Sequence, residues 1–151
     1  MLRIYQFHIP TIAAYEGHAV AGGAILSYAC DRQIILDGPY KIQINEVANK
    51  MVIPSWILLI CRSSIPDRWQ KEALLHARAY TPGDAFGRGI VDDLIEAGGS
   101  VLDAAREASQ DLLKLDRRAY AFTKQFMRRE EAEHAINALY KEIIGFRLPS
   151  C

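Results

Sequence analysis

A run of small residues constrains the fold of this chain more than any other segment. Ala19-Val20-Ala21-Gly22-Gly23-Ala24 lies between an apolar strand-like segment and an apolar helix-like one. Glycine at such a junction permits unusual backbone dihedrals and lets another group approach the backbone closely. The first N–H groups of a helix also lack partners within it and point outward. Two interpretations stay open: tight packing of strand on helix, or free amides at Ala21-Gly22-Gly23 that meet a carbonyl or oxyanion.

The segments on either side of this run predict a mixed α/β chain that becomes helical in its last third. Pro54, Pro66 and the Thr81-Pro82 pair are helix-start signals, and Ser100 with Asp103 resembles a capping box. We therefore predict buried or short strands at 11–15, 32–36, 40–44 and 90–95, and helices at 23–30, from 54, from 66 to about 80, from 82 to 89 and from 100 onward.

The composition fits one ordinary globular domain and excludes some function classes. The 151 residues contain 18 Lys+Arg and 18 Asp+Glu, so we expect neither a nucleic-acid partner nor a membrane partner. Cys30, Cys61 and Cys151 are an odd number without metal-ligand spacing, which predicts reduced thiols in a cytoplasmic protein and no metal site. The run 130–134, "EEAEH", is typical of a solvated helix face, and Lys124 of a surface lysine.

One carboxylate has an unusual place in the sequence. In "GPYKIQINEVANKMVIPSW", Glu46 directly follows a predicted strand and has largely apolar neighbours. A carboxylate in apolar surroundings suits a general base. A helix-capping or otherwise hydrogen-bonded glutamate at the end of a strand is an equally good interpretation of Glu46 alone.

Three blocks together resemble one known family. They are "IAAYEGHAVAGGAILSYACD", "IQINEVANKMVIPSW" and "ARAYTPGDAFGRGIVDDLI", and they occur in the order and approximate spacing of the crotonase (enoyl-CoA hydratase/isomerase) superfamily. The likeness is greatest to the Δ3,Δ2-enoyl-CoA isomerases, whose Ala-Gly-Gly segment and Leu-Asn-Glu block correspond to Ala21–Gly23 and Ile44–Glu46.

The resemblance implies a chemistry for these residues. The Gly22 N–H falls where the family has one donor of an oxyanion hole for the thioester carbonyl of acyl-CoA, within the substrate-binding segment that also holds Ala21 and Gly23. Of the two glutamates used by hydratases, the first falls at Ile25 and the second at Glu46, a pattern similar to an isomerase with Glu46 as the catalytic base. No cofactor is implied, because CoA enters as part of the substrate.

The resemblance also implies an architecture. The chain is similar to the C-terminal portion of a crotonase-like ββα spiral, with residues 1–97 as a partial α/β core and 98–151 as a helical region. The second oxyanion donor of the family comes from farther upstream, and Lys50 stands where isomerases usually have a small residue, so that it could crowd the acyl pocket or pair with Glu46. We expect a homo-oligomer, a trimer or hexamer, through apolar faces on the last helices (Phe122, Phe126, Ile136, Leu139, Ile143). The alternative function is a truncated, non-catalytic assembly protein of the same family.

Overall fold

Successive strands of the chain enter two small parallel sheets in turn. β1 (Ile12–Tyr15), β3 (Arg32–Leu36) and β5 (Asp93–Ile95) form one sheet in the order β1-β3-β5. β2 (Ala19–Val20) pairs with β4 (Ile42–Gln43) in the other. All of these pairs are parallel. The structure, a computed structural model, describes residues 1–145, with side chains described for 1–139. Over that range the chain winds as a ββα spiral.

Helices connect the strands and form the C-terminal part of the described chain. At two of the predicted starts the cap is in place: Thr81 Oγ1 accepts a hydrogen bond from the Asp84 N–H at 3.1 Å, and Ser100 Oγ accepts one from the Asp103 N–H at 3.1 Å. The helices are α1 (Leu2–Tyr5), α2 (Gly22–Tyr28), α3 (Ser55–Ser64), α4 (Asp67–Gln70), α5 (Pro82–Gly87), α6 (Val101–Leu113) and α7 (Arg117–Gly145), with a 3₁₀ turn at Val47–Asn49 and a π turn at Lys71–Leu75.

The helix predicted from Pro66 to about residue 80 ends earlier, so that prediction is wrong at its C-terminal end. The α-helical part stops at Gln70, and the π turn that follows ends at Leu75. Ala77 has a left-handed φ of 49°, which a continuing helix does not allow. Tyr80 then exchanges backbone hydrogen bonds of 2.9 and 3.0 Å with Ile42 of β4. Tertiary pairing with β4 therefore overrides the local helical pattern.

The main core lies between α2, α3 and the strands, and β3 is its central strand. Three of the five β3 residues, Gln33–Ile35, are buried, as is Ile60 of α3. β1 differs from the buried strand that its apolar sequence predicts: none of its four residues is buried, and Ala14 is exposed. The reason is its place at the edge of the sheet, where it has β3 on one side and no described strand on the other.

Buried charges hold α7 against the start of the chain. Lys124 Nζ lies 2.6 Å from Asp31 Oδ2, and Arg128 Nη1 lies 2.9 Å from Asp31 Oδ1. Arg128 also donates to the Tyr5 carbonyl at 2.7 Å. Burial raises the pKa of Asp31, but its hydrogen bonds to Lys124 and Thr11 and the two cations outweigh burial and lower the pKa overall. The interpretation of Lys124 as a surface lysine is wrong, because only 6% of its side chain is exposed.

Large apolar side chains remain exposed on α7. Phe122 and Phe126 form a ring contact with centroids 6.3 Å apart, and they are 51% and 76% exposed. Met127 beside them is also exposed. Ile143 lies outside the residues whose side chains are described. The boundary that we predict between residues 97 and 98 falls in the turn between β5 and α6, and stays a prediction.

Candidate active site

The glycine segment and Glu46 follow the carboxyl ends of two neighbouring strands. In the β2–β4 pair, Ala19 lies opposite Ile42 and Val20 opposite Gln43. The Ala21 N–H extends this ladder by donating to the Gln43 carbonyl at 2.8 Å. Paired parallel strands have their carboxyl ends at the same end of a sheet and lie about 4.8 Å apart. The fold therefore brings the glycine segment and Glu46 to the same end of the β2–β4 sheet.

The backbone of the glycine segment presents two free amides. Ala21 has φ 50° and ψ −120°, a left-handed conformation that costs about 1–3 kcal/mol in a residue other than glycine. Directly after it α2 begins, and the N–H groups of Gly22 and Gly23 have no hydrogen-bond acceptor among the described residues. The Ala21 N–H is occupied by Gln43, so the free donors of this segment are those of Gly22 and Gly23.

Tight packing of strand on helix does not account for the two glycines. A Cβ added at Gly23 would meet no atom within 4 Å. A Cβ added at Gly22 would meet only Met1 Cε, at 3.7 Å, which is an ordinary van der Waals contact. Both glycines are exposed. The packing interpretation is therefore wrong for this pair within the described chain, because a side chain at either position would meet no close contact.

Glu46 is a buried carboxylate with an unused oxygen. Its side chain is 7% exposed, and Oε2 has no hydrogen-bond partner among the described residues. Glu46 stands at the N-cap position of the 3₁₀ turn, but its side chain makes no capping hydrogen bond. The Glu46 carbonyl instead stabilises the turn by accepting hydrogen bonds from the N–H groups of Asn49 and Met51, each at 2.9 Å. The capping interpretation is thus wrong, and burial of this carboxylate is left without compensation from the described chain.

A buried thiol lies near this carboxylate. Burial, followed by the negative charge of Glu46, raises the pKa of Cys61 to about 12. Cys61 is therefore a neutral thiol at physiological pH and no nucleophile. Asn45 Oδ1, next to Glu46 in the chain, is also buried without a partner. Sequence analysis placed neither Asn45 nor Cys61 in a site, and neither residue type by itself signals one.

Ile25 and Lys50 occupy opposite environments at the edges of the site. Ile25 is 2% exposed and belongs to the core, so this position offers no group that can transfer a proton. Lys50 is exposed, with φ 60° and ψ 27° in the left-handed region. It forms no ion pair with any residue whose side chain is described, so the predicted pairing of Lys50 with Glu46 is wrong.

A sequence model of one protein family matches nearly the whole chain. The model is described as enoyl-CoA hydratase/isomerase, and it covers residues 1–147. The chain belongs to this family. The mouse mitochondrial enoyl-CoA delta isomerase 1 is 28% identical over 146 residues, which are 96% of this chain and 50% of that protein. This family chain thus spans about half the length of the curated relatives it matches.

Solved structures of family members share the fold. The human mitochondrial delta3-delta2-enoyl-CoA isomerase superposes with a TM-score of 0.89 at 27% identity, over 96% of this chain and 56% of that one. An apo enoyl-CoA isomerase from Mycobacterium tuberculosis gives 0.85 at 29% identity, over 97% of this chain and 63% of that one. These likenesses confirm the predicted crotonase-like α/β architecture and the predicted likeness to the Δ3,Δ2-enoyl-CoA isomerases.

The expected compartment is not settled by these relatives. The mouse and human proteins are named as mitochondrial, so a cytoplasmic location for this family chain stays a prediction. Among the described residues, no helix combines the length and the apolar character that crossing a membrane requires.

Proposed function

We propose that this chain acts on fatty acyl-CoA thioesters as an enoyl-CoA isomerase, with Glu46 as the catalytic base. The observation that carries the proposal is the buried Oε2 of Glu46, which has no hydrogen-bond partner among the described residues. Glu46 follows β4 at the same end of the β2–β4 sheet at which the free amides of Gly22 and Gly23 follow β2. A carboxylate that makes no bond within the described chain is available to take a proton from a bound substrate. Membership of the enoyl-CoA hydratase/isomerase family supports the same reaction class.

The proposed reaction moves a proton and a double bond. Glu46 removes a proton from C2 of a 3-enoyl-CoA, and the electron pair of the C2–H bond passes into an enolate. The carbonyl double bond re-forms as the 3,4 double bond becomes a 2,3 double bond, and Glu46 returns the proton at C4. Atoms and electrons balance without an oxidant, a reductant or a cofactor, since CoA enters as part of the substrate.

The glycine segment is proposed to hold the enolate oxygen. The Gly22 N–H is the oxyanion donor that the family resemblance indicates, Gly23 and Ala21 shape the same substrate-binding segment, and both glycine amides are free. The left-handed backbone of Ala21 supports this role, because strain of this kind concentrates at functional sites. Preorganised donors act most strongly on charge that develops during the reaction.

Isomerisation is favoured over hydration by the residue at position 25. Hydration needs a second acid–base group to deliver water, and the resemblance places that group at Ile25. Ile25 is a buried core residue and cannot supply a proton. We therefore propose a 3-enoyl to 2-enoyl isomerase with weak hydratase activity.

The proposed assembly is a homo-oligomer, a trimer or hexamer, formed through α7. Phe126 and Met127 are 76% and 73% exposed, and an apolar patch of this kind is typical of a protein–protein interface. Sedimentation at micromolar concentration tests this with Phe126→Glu against Leu75→Glu, a matched substitution at an exposed leucine outside α7. We expect the first variant alone to dissociate; a wild-type chain that sediments as a monomer contradicts the assembly.

A non-catalytic assembly protein is the alternative, favoured by the exposed apolar side chains of Phe126 and Met127 on α7. Isothermal titration with a medium-chain acyl-CoA, run beside an isomerase assay on the purified chain, separates the two. Binding with turnover that depends on Glu46 supports the isomerase. Absence of both, in a folded chain, supports the assembly protein.

A further inference from the structure

Three residues other than glycine hold a left-handed backbone in the described chain. They are Ala21 with φ 50°, Lys50 with φ 60° and Ala77 with φ 49°. Such conformations persist only where the surrounding structure holds them in place, and they concentrate at functional sites. Ala21 precedes the two glycines, and Lys50 ends the turn that follows Glu46. Ala77 lies far from both in the sequence, so its backbone conformation needs a separate explanation.

Ala21 and Ala77 are both hydrogen-bonded to one residue of β4. The Gln43 carbonyl accepts a hydrogen bond from the Ala21 N–H at 2.8 Å. The Gln43 side chain donates from Nε2 to the Ala77 carbonyl at 2.7 Å. A single glutamine therefore holds two of the three left-handed residues, one through its backbone and the other through its side chain.

These two contacts lie along opposite edges of β4. β2 pairs with β4 along one edge. Along the other edge, Ile42 and Tyr80 exchange backbone hydrogen bonds in an antiparallel bridge. In an antiparallel arrangement, the residues that precede Tyr80 run beside the residues that follow Ile42. Ala77 therefore lies toward the carboxyl end of β4, the end at which Glu46 follows.

Burial explains why the Ala77 carbonyl needs a donor. Ala77 is 8% exposed, and a buried carbonyl without a donor carries a desolvation cost. A helix that continued past Leu75 would supply a backbone donor, but the chain leaves the helical path at Ala77. The Gln43 amide replaces that donor, and in doing so it joins the segment 77–80 to β4.

We infer that Gln43 is a positioning residue of the proposed isomerase site. Its side chain holds the segment 77–80 beside the carboxyl end of β4, and its carbonyl holds Ala21. Together these bonds keep Glu46, three residues after Gln43, in a fixed relation to the Gly22 amide. The inference rests on the proposed function, because Gln43 acts through the backbone of its neighbours and has no chemical role of its own.

The side-chain bond can be removed while the backbone bond stays. Gln43→Met keeps the length of the side chain and removes the amide. For a 3-hexenoyl-CoA substrate, kcat should fall about ten- to hundredfold with KM unchanged, because misplaced groups slow the chemical step. Gln70→Met is the matched control, since Gln70 Nε2 of α4 also donates to a backbone carbonyl, that of Ile65, at 3.0 Å. This control should leave kcat unchanged even if it lowers stability.

Ala77→Gly tests whether Gln43 acts through Ala77. Glycine adopts a left-handed backbone without the steric cost of a Cβ, so it depends less on the amide. In a double-mutant cycle, Gln43→Met should therefore lower kcat less in the Ala77→Gly chain than in the wild-type chain. Equal losses of kcat in the two chains would contradict an action through Ala77.

Amide hydrogen exchange tests the same contact without reference to turnover. The Tyr80 N–H bonds to the Ile42 carbonyl at 2.9 Å, and it should exchange faster in Gln43→Met than in the wild type or Gln70→Met. Unchanged exchange overturns the inference, as does wild-type kcat in Gln43→Met or an equal loss of kcat in Gln70→Met. The proposed function fails in a different measurement, namely wild-type turnover that is absent or independent of Glu46.

Discussion

The segments that follow β2 and β4 lie at the same end of the β2–β4 sheet, but one is exposed and the other is buried. After β4, Glu46 is buried, with 7% of the residue exposed. After β2, Gly22 and Gly23 are exposed, and a side chain at either position would meet no close contact. The difference indicates that the described chain encloses the proton-transfer half of the proposed site and leaves the carbonyl-holding half open to substrate.

The largest expected effect belongs to the enclosed half. Glu46→Gln keeps the size of the side chain and removes the base, so isomerisation of a 3-enoyl-CoA should slow by about 10²–10⁴. Initial rates measured at saturating substrate report the loss. The matched control is Glu16→Gln, an exposed glutamate in the loop between β1 and β2, which should leave the rate unchanged. If the Glu46 variant keeps the wild-type rate, Glu46 has no part in the proton transfer.

In the open half, the isomerisation rate should depend on one amide, although less strongly than it depends on Glu46. Replacing Gly22 by glycolic acid through semisynthesis changes the amide to an ester and removes only the N–H. Loss of one oxyanion donor should lower the rate by about 10²–10³. An ester at Gly17, in the loop before β2, serves as the control. Equal rates for the two esters would mean that the Gly22 N–H has no part in the reaction.

The chain on its own should be a poor enzyme if the open half is incomplete. The resemblance places a second oxyanion donor upstream of the segments found here, and one missing donor costs about 10²–10³ in rate. Acyl-CoA titration and the isomerase assay, carried out together, measure binding and turnover. Micromolar binding with turnover equal to that of the mouse relative would mean that the 151 residues supply both donors themselves.

Stability should respond modestly at the turn after Glu46. Lys50 holds a left-handed conformation with φ 60°, which glycine adopts without a steric cost. Lys50→Gly should raise the free energy of unfolding by about 0.5–1 kcal/mol, after the greater chain entropy of glycine is allowed for. Lys50→Ala keeps the Cβ and is the control. Denaturant unfolding that gives the same gain for both variants would locate the effect in the lysine side chain instead.

Much of this comparison could be predicted from local sequence. The β3 strand is found at Arg32–Leu36 as predicted, and Ser100 caps α6 as predicted, because apolar runs and capping residues act over a few neighbours. The placement of Glu46 after β4 follows from the same local pattern. The chemical identity of the site, in contrast, came from the family resemblance rather than from spacing.

The remaining features depend on partners distant in sequence. Lys124 is buried because Asp31, 93 positions away, meets it in the folded chain, and no local pattern marks that pair. The early end of the helix after Pro66 depends on pairing of Tyr80 with Ile42. The left-handed φ of Ala21 is invisible in the sequence because alanine rarely adopts it. Long-range contacts decided the first two of these features.

The most direct test of the proposed mechanism follows the proton itself. A 3-hexenoyl-CoA labelled with deuterium at C2 is incubated with the wild-type chain, Glu46→Gln and Glu16→Gln, and the label at C2 is measured by NMR as the 2-enoyl product forms. The account predicts that the wild type and Glu16→Gln remove deuterium from C2 with a primary isotope effect, and that Glu46→Gln does not. Removal of the label at the wild-type rate by Glu46→Gln would contradict the account.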